Sequence, residues 1–160
     1  MSIKKVLPMA ALLFIAGTIL ADLMFTTFAD LLLPKAAGEY TLIATQLHEV
    51  FITRLLFSLS VGLAFSSATF ASWFTSKNTK QTNLSFTTAS FIVVMVGSMV
   101  IVSLYYKNHF AALFSALDIQ PGTPIALDTI PYCQIPLIGA VVTCVIAIIY
   151  KIYKTKNTPS

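Results

Sequence analysis

Charged residues are scarce in this chain of 160 residues, and their scarcity decides its broad class. They make up 10% of the sequence, whereas hydrophobic residues make up 57% and the mean hydropathy is +0.84. A soluble domain carries about 25% charged residues, so the composition excludes a soluble enzyme and a disordered tail. The ten basic residues form no stripe, which excludes a nucleic-acid partner. The composition predicts a polytopic membrane protein whose surroundings are the lipid bilayer.

Cysteine is equally rare, and the familiar catalytic motifs are missing. The two cysteines, Cys133 and Cys144, provide neither a disulfide framework nor a CxxC metal motif. On one helix they would lie about 16 Å apart, which is too far for a disulfide. No GxSxG, phosphate-binding loop or GxGxxG is present. The sequence therefore predicts no catalytic residue, no cofactor and no metal, and we expect the protein not to be an enzyme.

Four apolar stretches are long enough to cross a membrane as helices, which takes about 20 residues. Turn-forming clusters rich in proline, glycine and polar residues separate them. We predict an all-α membrane protein, a four-transmembrane-helix bundle that forms one integral membrane domain over residues 1–160. The predicted segments are transmembrane helices at about 6–33, 51–74, 86–106 and 130–150, outer loops at 34–50 and 107–129, an inner loop at 75–85 and a basic inner tail at 151–160.

The basic residues are distributed unevenly between the two sides of this bundle. With the N-terminus inside, seven of the ten lie on the inner side, and the outer side holds Lys35, Arg54 and Lys107. Because lysine and arginine are enriched in cytoplasmic loops, the count predicts an N-in/C-in topology. We expect a multi-pass protein of a bacterial inner membrane.

The beginning of the chain also resembles a secretory signal peptide. Lys4 and Lys5 precede an apolar run, and Ala21 offers a small residue for cleavage. The apolar run nevertheless continues beyond Ala21 as far as Leu33. This continuation favours an uncleaved membrane anchor over a cleaved signal.

Polar residues recur at every fourth position of the first predicted span. Thr18, Asp22, Thr26 and Asp30 share one helix face, and Arg54 opens the second span at the same outer level. Ionisable groups inside a bilayer are functional candidates by default. Asp22, Asp30 and Arg54 are therefore a candidate ion or proton site. Two other interpretations stay open: Asp22 is solvated near the headgroups, or it forms a structural pair with Arg54.

A second group of polar residues lies in the predicted outer loops. The candidate outer polar cluster consists of Glu39, His48, Glu49 and His109. Carboxylates and imidazoles suit a divalent metal, but no spacing here places two strong ligands on one helical turn. Solvated loop residues are the competing interpretation, and a site with both histidines requires the two loops to meet.

Small residues recur with a period of four along the second predicted span. Ser58, Gly62 and Ser66 form one row, which predicts close helix packing. A neighbouring row contains Ser60, Ala64, Ala68 and Ser72. Two rows exceed what one neighbour needs, so we expect this helix at the centre of the bundle. A seam with a second copy or another subunit is the alternative use.

Two short stretches resemble known membrane proteins. Residues Thr53 to Ala68 resemble the Arg…Gly-Leu-Ala-small-small helix of cobalamin and siderophore importer permeases, without the proline before that arginine or the Asn-Pro after the helix. Residues Phe25 to Phe51 resemble an uncharacterised group of four-span proteins. We assign no family from either stretch.

The expected function follows from the composition and the absent motifs. We expect a non-enzymatic subunit or accessory of a membrane assembly, with other membrane subunits or a second copy as partners. The alternative is a small proton- or cation-coupled transporter that uses the intramembrane carboxylate of Asp22.

Overall fold

Four long helices dominate the computed structural model, which describes residues 3–32, 42–43, 47–76, 84–116, 125–126 and 130–156. The helices are α1 (Ile3–Leu32), α2 (Leu47–Ser76), α3 (Leu84–Ala116) and α4 (Gln134–Lys156). Each contains a stretch long and apolar enough to cross a membrane: Val6–Phe28, His48–Ser76, Ser85–Leu113 and Gln134–Thr155. The prediction of four such helices is therefore confirmed.

The helices bury only a minor part of their apolar surface against one another. At most 33% of the most apolar window of any helix is buried inside the bundle. Large aliphatic side chains such as Leu23, Val93 and Ile101 are 70–72% exposed. Outward apolar surface on this scale requires a lipid or protein environment, and helices satisfy their backbone hydrogen bonds internally in such surroundings.

Two short strands, one in each of two connections between helices, pair with each other. β1 (Leu42–Ile43) pairs in parallel with β2 (Ile125–Ala126), so that Leu42 lies opposite Ile125. β1 belongs to the connection between α1 and α2, and β2 belongs to the connection between α3 and α4. The pairing brings these two connections together at the same end of the bundle.

Several helix boundaries differ from the predicted spans; α4, for example, continues to Lys156, beyond the predicted end at residue 150. α2 begins at Leu47 rather than near residue 51, and α3 continues about ten residues beyond the predicted end at residue 106. Hydropathy detects the apolar part of a helix, whereas the backbone continues through polar residues until a breaker ends it. α4 begins at Gln134 rather than at residue 130, because the preceding residues form a turn in which the Tyr132 amide donates to the Ile130 carbonyl at 2.8 Å.

α2 is the central helix of the bundle, as the two rows of small residues predict. It packs against α1, α3 and α4, and α3 also packs against α4. Gly62 of the first row lies against Phe14 and Thr18 of α1. The second row is buried, and its member Ala68 packs with Phe91 of α3 and Ala147 of α4. Gly62 and the second row therefore serve packing within one bundle.

The two ends of the bundle have different interiors. The end that contains Arg54, hereafter the Arg54 end, holds an aromatic core in which the Phe25 ring centroid lies 5.7 Å from that of Phe57 and 5.2 Å from that of Tyr132. At the opposite end, the Lys151 end, three alanines and Phe91 form the buried cluster, and the Lys151 ammonium lies 3.6 Å from the centre of the Phe74 ring. Such cation–π contacts suit a partly solvated boundary.

Candidate functional site: the seam between α1 and α2

The seam between α1 and α2 depends on the close approach of two backbones at Gly62. A Cβ atom at Gly62 would lie 2.7 Å from the Phe14 carbonyl oxygen and closer still to the Thr18 hydroxyl oxygen. Thr18 donates this hydroxyl to the Phe14 carbonyl at 2.8 Å, and Ser58 likewise donates to the Arg54 carbonyl at 2.8 Å. Each hydroxyl is thus satisfied within its own helix, and the seam is held by packing of small groups.

One helical turn beyond the Thr18 contact, the seam carries the Asp22–Arg54 ion pair. Arg54 Nε donates to Asp22 Oδ1 at 2.5 Å, and Arg54 Nη2 donates to Asp22 Oδ2 at 2.6 Å. The planar guanidinium matches the two carboxylate oxygens, which is the strong bidentate form of this interaction. Of the three interpretations of Asp22, the structure has the one in which Asp22 and Arg54 are in direct contact.

The position of the pair along the bundle explains how two charges are accommodated there. Twenty residues of α2 separate Arg54 from Phe74, which corresponds to about 30 Å of helix. A bilayer core is also about 30 Å thick. When the Phe74–Lys151 contact lies at one face of such a core, Arg54 lies at the other face. The long arginine side chain reaches the Asp22 carboxylate from α2.

Both charged side chains are half exposed, at 44% for Asp22 and 45% for Arg54. Solvent reaches the exposed half of each side chain, so neither ion suffers complete desolvation. The interfacial interpretation and the paired interpretation are therefore compatible. The pair therefore has a bidentate hydrogen-bond geometry and stays accessible to solvent on its exposed side.

The remaining members of the candidate ion site and outer polar cluster are less well placed. The backbone of Asp30 belongs to α1, but its side chain and the whole of Glu39 lie outside the described residues. His48 is exposed in the first turn of α2, next to the half-buried Glu49. His109 is exposed on α3 and stacks on Tyr105, with ring centroids 6.2 Å apart.

No metal centre is evident in the part of the chain that the structure describes. Within it, no three histidine, cysteine, aspartate or glutamate side chains are grouped closely enough to hold a metal ion. The outer polar cluster includes Glu39, which is not described, so the cluster as a whole stays a sequence prediction.

The predicted packing residues occupy different environments along α2. Ser58 is 2% exposed, Gly62 is buried, and Ser66 is half buried with its hydroxyl donated to the Leu63 carbonyl at 2.9 Å. The row thus becomes more exposed towards the Lys151 end. The close approach is concentrated at Gly62 and its neighbours on α1.

Sequence reasoning missed two features of the Arg54 end. Tyr106 of α3 donates its hydroxyl to the Gln134 side-chain oxygen of α4 at 2.6 Å. In addition, an open apolar cleft of about 420 Å³ lies between α1, α2 and α3, and Lys107 belongs to its lining. The sequence analysis assigns Lys107 to an outer loop, and no sequence pattern indicates the spacing between helices that opens the cleft.

Comparison with known proteins adds no relative to this description. No protein family, curated protein or solved structure matches the chain.

Proposed function

We propose that this chain is a non-enzymatic subunit or accessory of a larger membrane assembly, built as a single multi-pass integral membrane domain. The observation that carries the proposal is the bidentate contact between Asp22 and Arg54. A carboxylate held by two charge-assisted hydrogen bonds is stabilised in its charged form. It therefore suits a structural clamp between α1 and α2 better than a group that gains and loses a proton in each cycle.

The exposed helix surfaces support an assembly role. Each helix keeps at least two thirds of its most apolar window outside the bundle interior. In a membrane this surface is covered by lipid or by other helices, and close helix association in lipid relies on packing of small and apolar groups. A small bundle with broad apolar faces is suited to dock against larger membrane subunits.

The proposed topology has both termini in the cytoplasm of a bacterium, with the bundle in the inner membrane. The seven-to-three distribution of basic residues supports it. In this topology the Lys151 end is cytoplasmic and the Arg54 end faces the periplasm. Lys151 and Lys154, which lie over the rings of Phe74 and Tyr150, then anchor the cytoplasmic boundary.

The alternative function, a small proton- or cation-coupled transporter, draws on the half-exposed state of the Asp22–Arg54 pair. Water or a cation has access to the carboxylate from the exposed side. Transport would require Asp22 to exchange Arg54 for a proton or a cation during each cycle, so the ion pair would have to open. The two functions therefore differ in whether the charge of Asp22 is needed for stability or for turnover.

Purification from native membranes in a mild detergent tests the proposed function. We expect the tagged protein to migrate in size-exclusion chromatography as a complex larger than its monomer, with a partner subunit at a constant ratio across the peak. A tagged four-span protein of unrelated sequence is the control for adventitious capture.

The contradicting outcome is a free monomer with transport activity of its own. Proteoliposomes that contain a pH-sensitive dye would then show proton flux, and Asp22→Asn would abolish the flux while leaving the thermal stability unchanged. That combination would replace the accessory role with the transporter.

A further inference from the structure

The apolar cleft at the Arg54 end is open on the outer surface of the bundle. Its floor is formed by buried side chains of α1 and α2, namely Ala21, Phe57 and Val61. Its two rims are exposed side chains of α1 and α3, among them Leu20 at 50% and Val100 at 53% exposure. α1 and α3 contact each other little, so the gap between them is covered by neither helix. Whatever surrounds the bundle fills this gap.

The cleft has the length of one bilayer leaflet. Its α3 wall runs from Val96 to Lys107, a rise of eleven helical steps or about 16 Å. Half of a bilayer core is about 15 Å. The cleft volume of about 420 Å³ lies within the range of small-molecule sites, which is roughly 300–1,000 Å³.

The polarity of the lining changes along the cleft in the same order as in a phospholipid. From Val96 to Leu104 the α3 wall is apolar except for Ser103, whose hydroxyl is donated to the Met99 carbonyl at 2.7 Å. Lys107 ends the lining on α3, one residue beyond Tyr106, whose hydroxyl is donated to Gln134 of α4. In the proposed insertion, this end of the cleft lies at the headgroup boundary. The cleft therefore offers apolar walls along the leaflet and a cation at the headgroup level.

We propose that this cleft binds one acyl chain of an anionic phospholipid, whose phosphate is held by the Lys107 ammonium. The proposal rests on the proposed insertion of the bundle into a membrane. Charge complementarity selects the occupant, because a lysine at the headgroup boundary attracts an anionic headgroup. The apolar floor adds contact area for the chain beyond what the open bilayer provides.

Photo-crosslinking with a defined lipid tests the proposal. The full-length protein is reconstituted in phosphatidylcholine bilayers that contain a small fraction of phosphatidylglycerol with a diazirine in the middle of one acyl chain. After irradiation, the labelled residues are mapped by peptide mass spectrometry. Val100 lines the cleft, whereas Ile101 lies at the same depth on another face and is more exposed, at 70%. We expect Val100 to be labelled more strongly than Ile101.

Charge variants separate binding in the cleft from ordinary lipid contact. Lys107→Gln should reduce labelling of Val100 about fivefold, which corresponds to the loss of about 1 kcal/mol for one basic residue at an anionic surface. Labelling of Ile101 should not change, and this also reports that the variant is folded and inserted. Lys154→Gln, at the Lys151 end, is the matched control and should leave Val100 labelling unchanged.

Several results would overturn the proposal. Labelling that simply follows exposure, or that is insensitive to Lys107→Gln, would show that the cleft has no preference for an anionic lipid. A crosslink between Val100 and a second copy of the chain would assign the cleft to a protein partner. Absence of label at both Val100 and Ile101 would instead contradict membrane insertion, and with it the proposed function.

Discussion

Substitution of Gly62 by alanine measures how close α1 and α2 approach each other. In a helix interior, alanine is favoured over glycine by about 1 kcal/mol. At Gly62 the new Cβ atom would lie 2.7 Å from the Phe14 carbonyl oxygen, which is backbone, so α1 itself must move. Overpacking of this kind costs about 1–3 kcal/mol. We therefore expect Gly62→Ala to lower the free energy of unfolding by up to about 2 kcal/mol, and Gly62→Leu to lower it further.

Gly97 of α3 provides the matched control, because a Cβ atom there meets no other atom within 4 Å. Gly97→Ala should raise the free energy of unfolding by up to about 1 kcal/mol. The assay is unfolding in mixed micelles at increasing sodium dodecyl sulfate, followed by far-UV circular dichroism and by the fluorescence of Trp73, the single tryptophan. Equal effects of Gly62→Ala and Gly97→Ala would refute the close approach at the seam.

Three further predictions concern topology and packing. A single cysteine introduced at Ser160 in a cysteine-free background should react with an impermeant maleimide only after the cells are broken, because the proposed topology places the C-terminus in the cytoplasm. Reaction in intact cells would contradict this topology. Gly139→Ala should destabilise the protein less than Gly62→Ala in the same unfolding assay, because its Cβ atom would meet the flexible Met99 side chain at 2.7 Å; an equal or greater loss would contradict this ranking. Thr69 is fully buried, and its hydroxyl has no hydrogen-bond partner within the described ranges, so Thr69→Val should raise the free energy of unfolding by up to about 1 kcal/mol. Thr143→Val should instead lower the free energy of unfolding by about 0.5–1 kcal/mol, because the Thr143 hydroxyl is donated to the Gly139 carbonyl at 2.8 Å. A change of the same sign for Thr69→Val and Thr143→Val would refute this difference between an unbonded and a bonded hydroxyl.

The helical architecture could be predicted because it depends on the lengths of apolar runs. Each run is long enough for a bilayer, and each contains the apolar core of one helix. The ends of the helices could not be predicted from apolar runs, because α3 continues through Lys107 and His109, where hydropathy falls. Backbone conformation there is decided by local helix propensity, to which a hydropathy window is insensitive.

The contact between Asp22 and Arg54 could be anticipated, whereas its geometry could not. The spacing of Thr18 and Asp22 places both on one face of α1, and Arg54 opens α2 at a similar level. Three interpretations stayed open because sequence spacing does not reveal which side of α2 faces α1. The orientation is decided at Gly62, where α1 approaches so closely that Arg54 comes within reach of Asp22.

The cleft and the contact between Tyr106 and Gln134 had no signal in the sequence. Both depend on distances between helices that are remote along the chain. Lys107 in particular was assigned to a loop, although it continues α3 and ends the cleft lining. The role proposed for Lys107 depends on the level of Arg54 on the neighbouring helix, which the sequence does not reveal.

The most direct test of the structural role of the ion pair is a double-mutant cycle of Asp22→Asn and Arg54→Gln. The pair is half exposed, so solvent screens it and it stabilises the fold less than a buried pair would. We expect each single variant to lower the free energy of unfolding. The double variant should lose measurably less than the sum of the two single losses, because no unpaired charge remains. A cycle of Asp22→Asn with Lys154→Gln at the opposite end should be additive. Strict additivity of Asp22→Asn and Arg54→Gln would contradict the structural pair and favour the transporter.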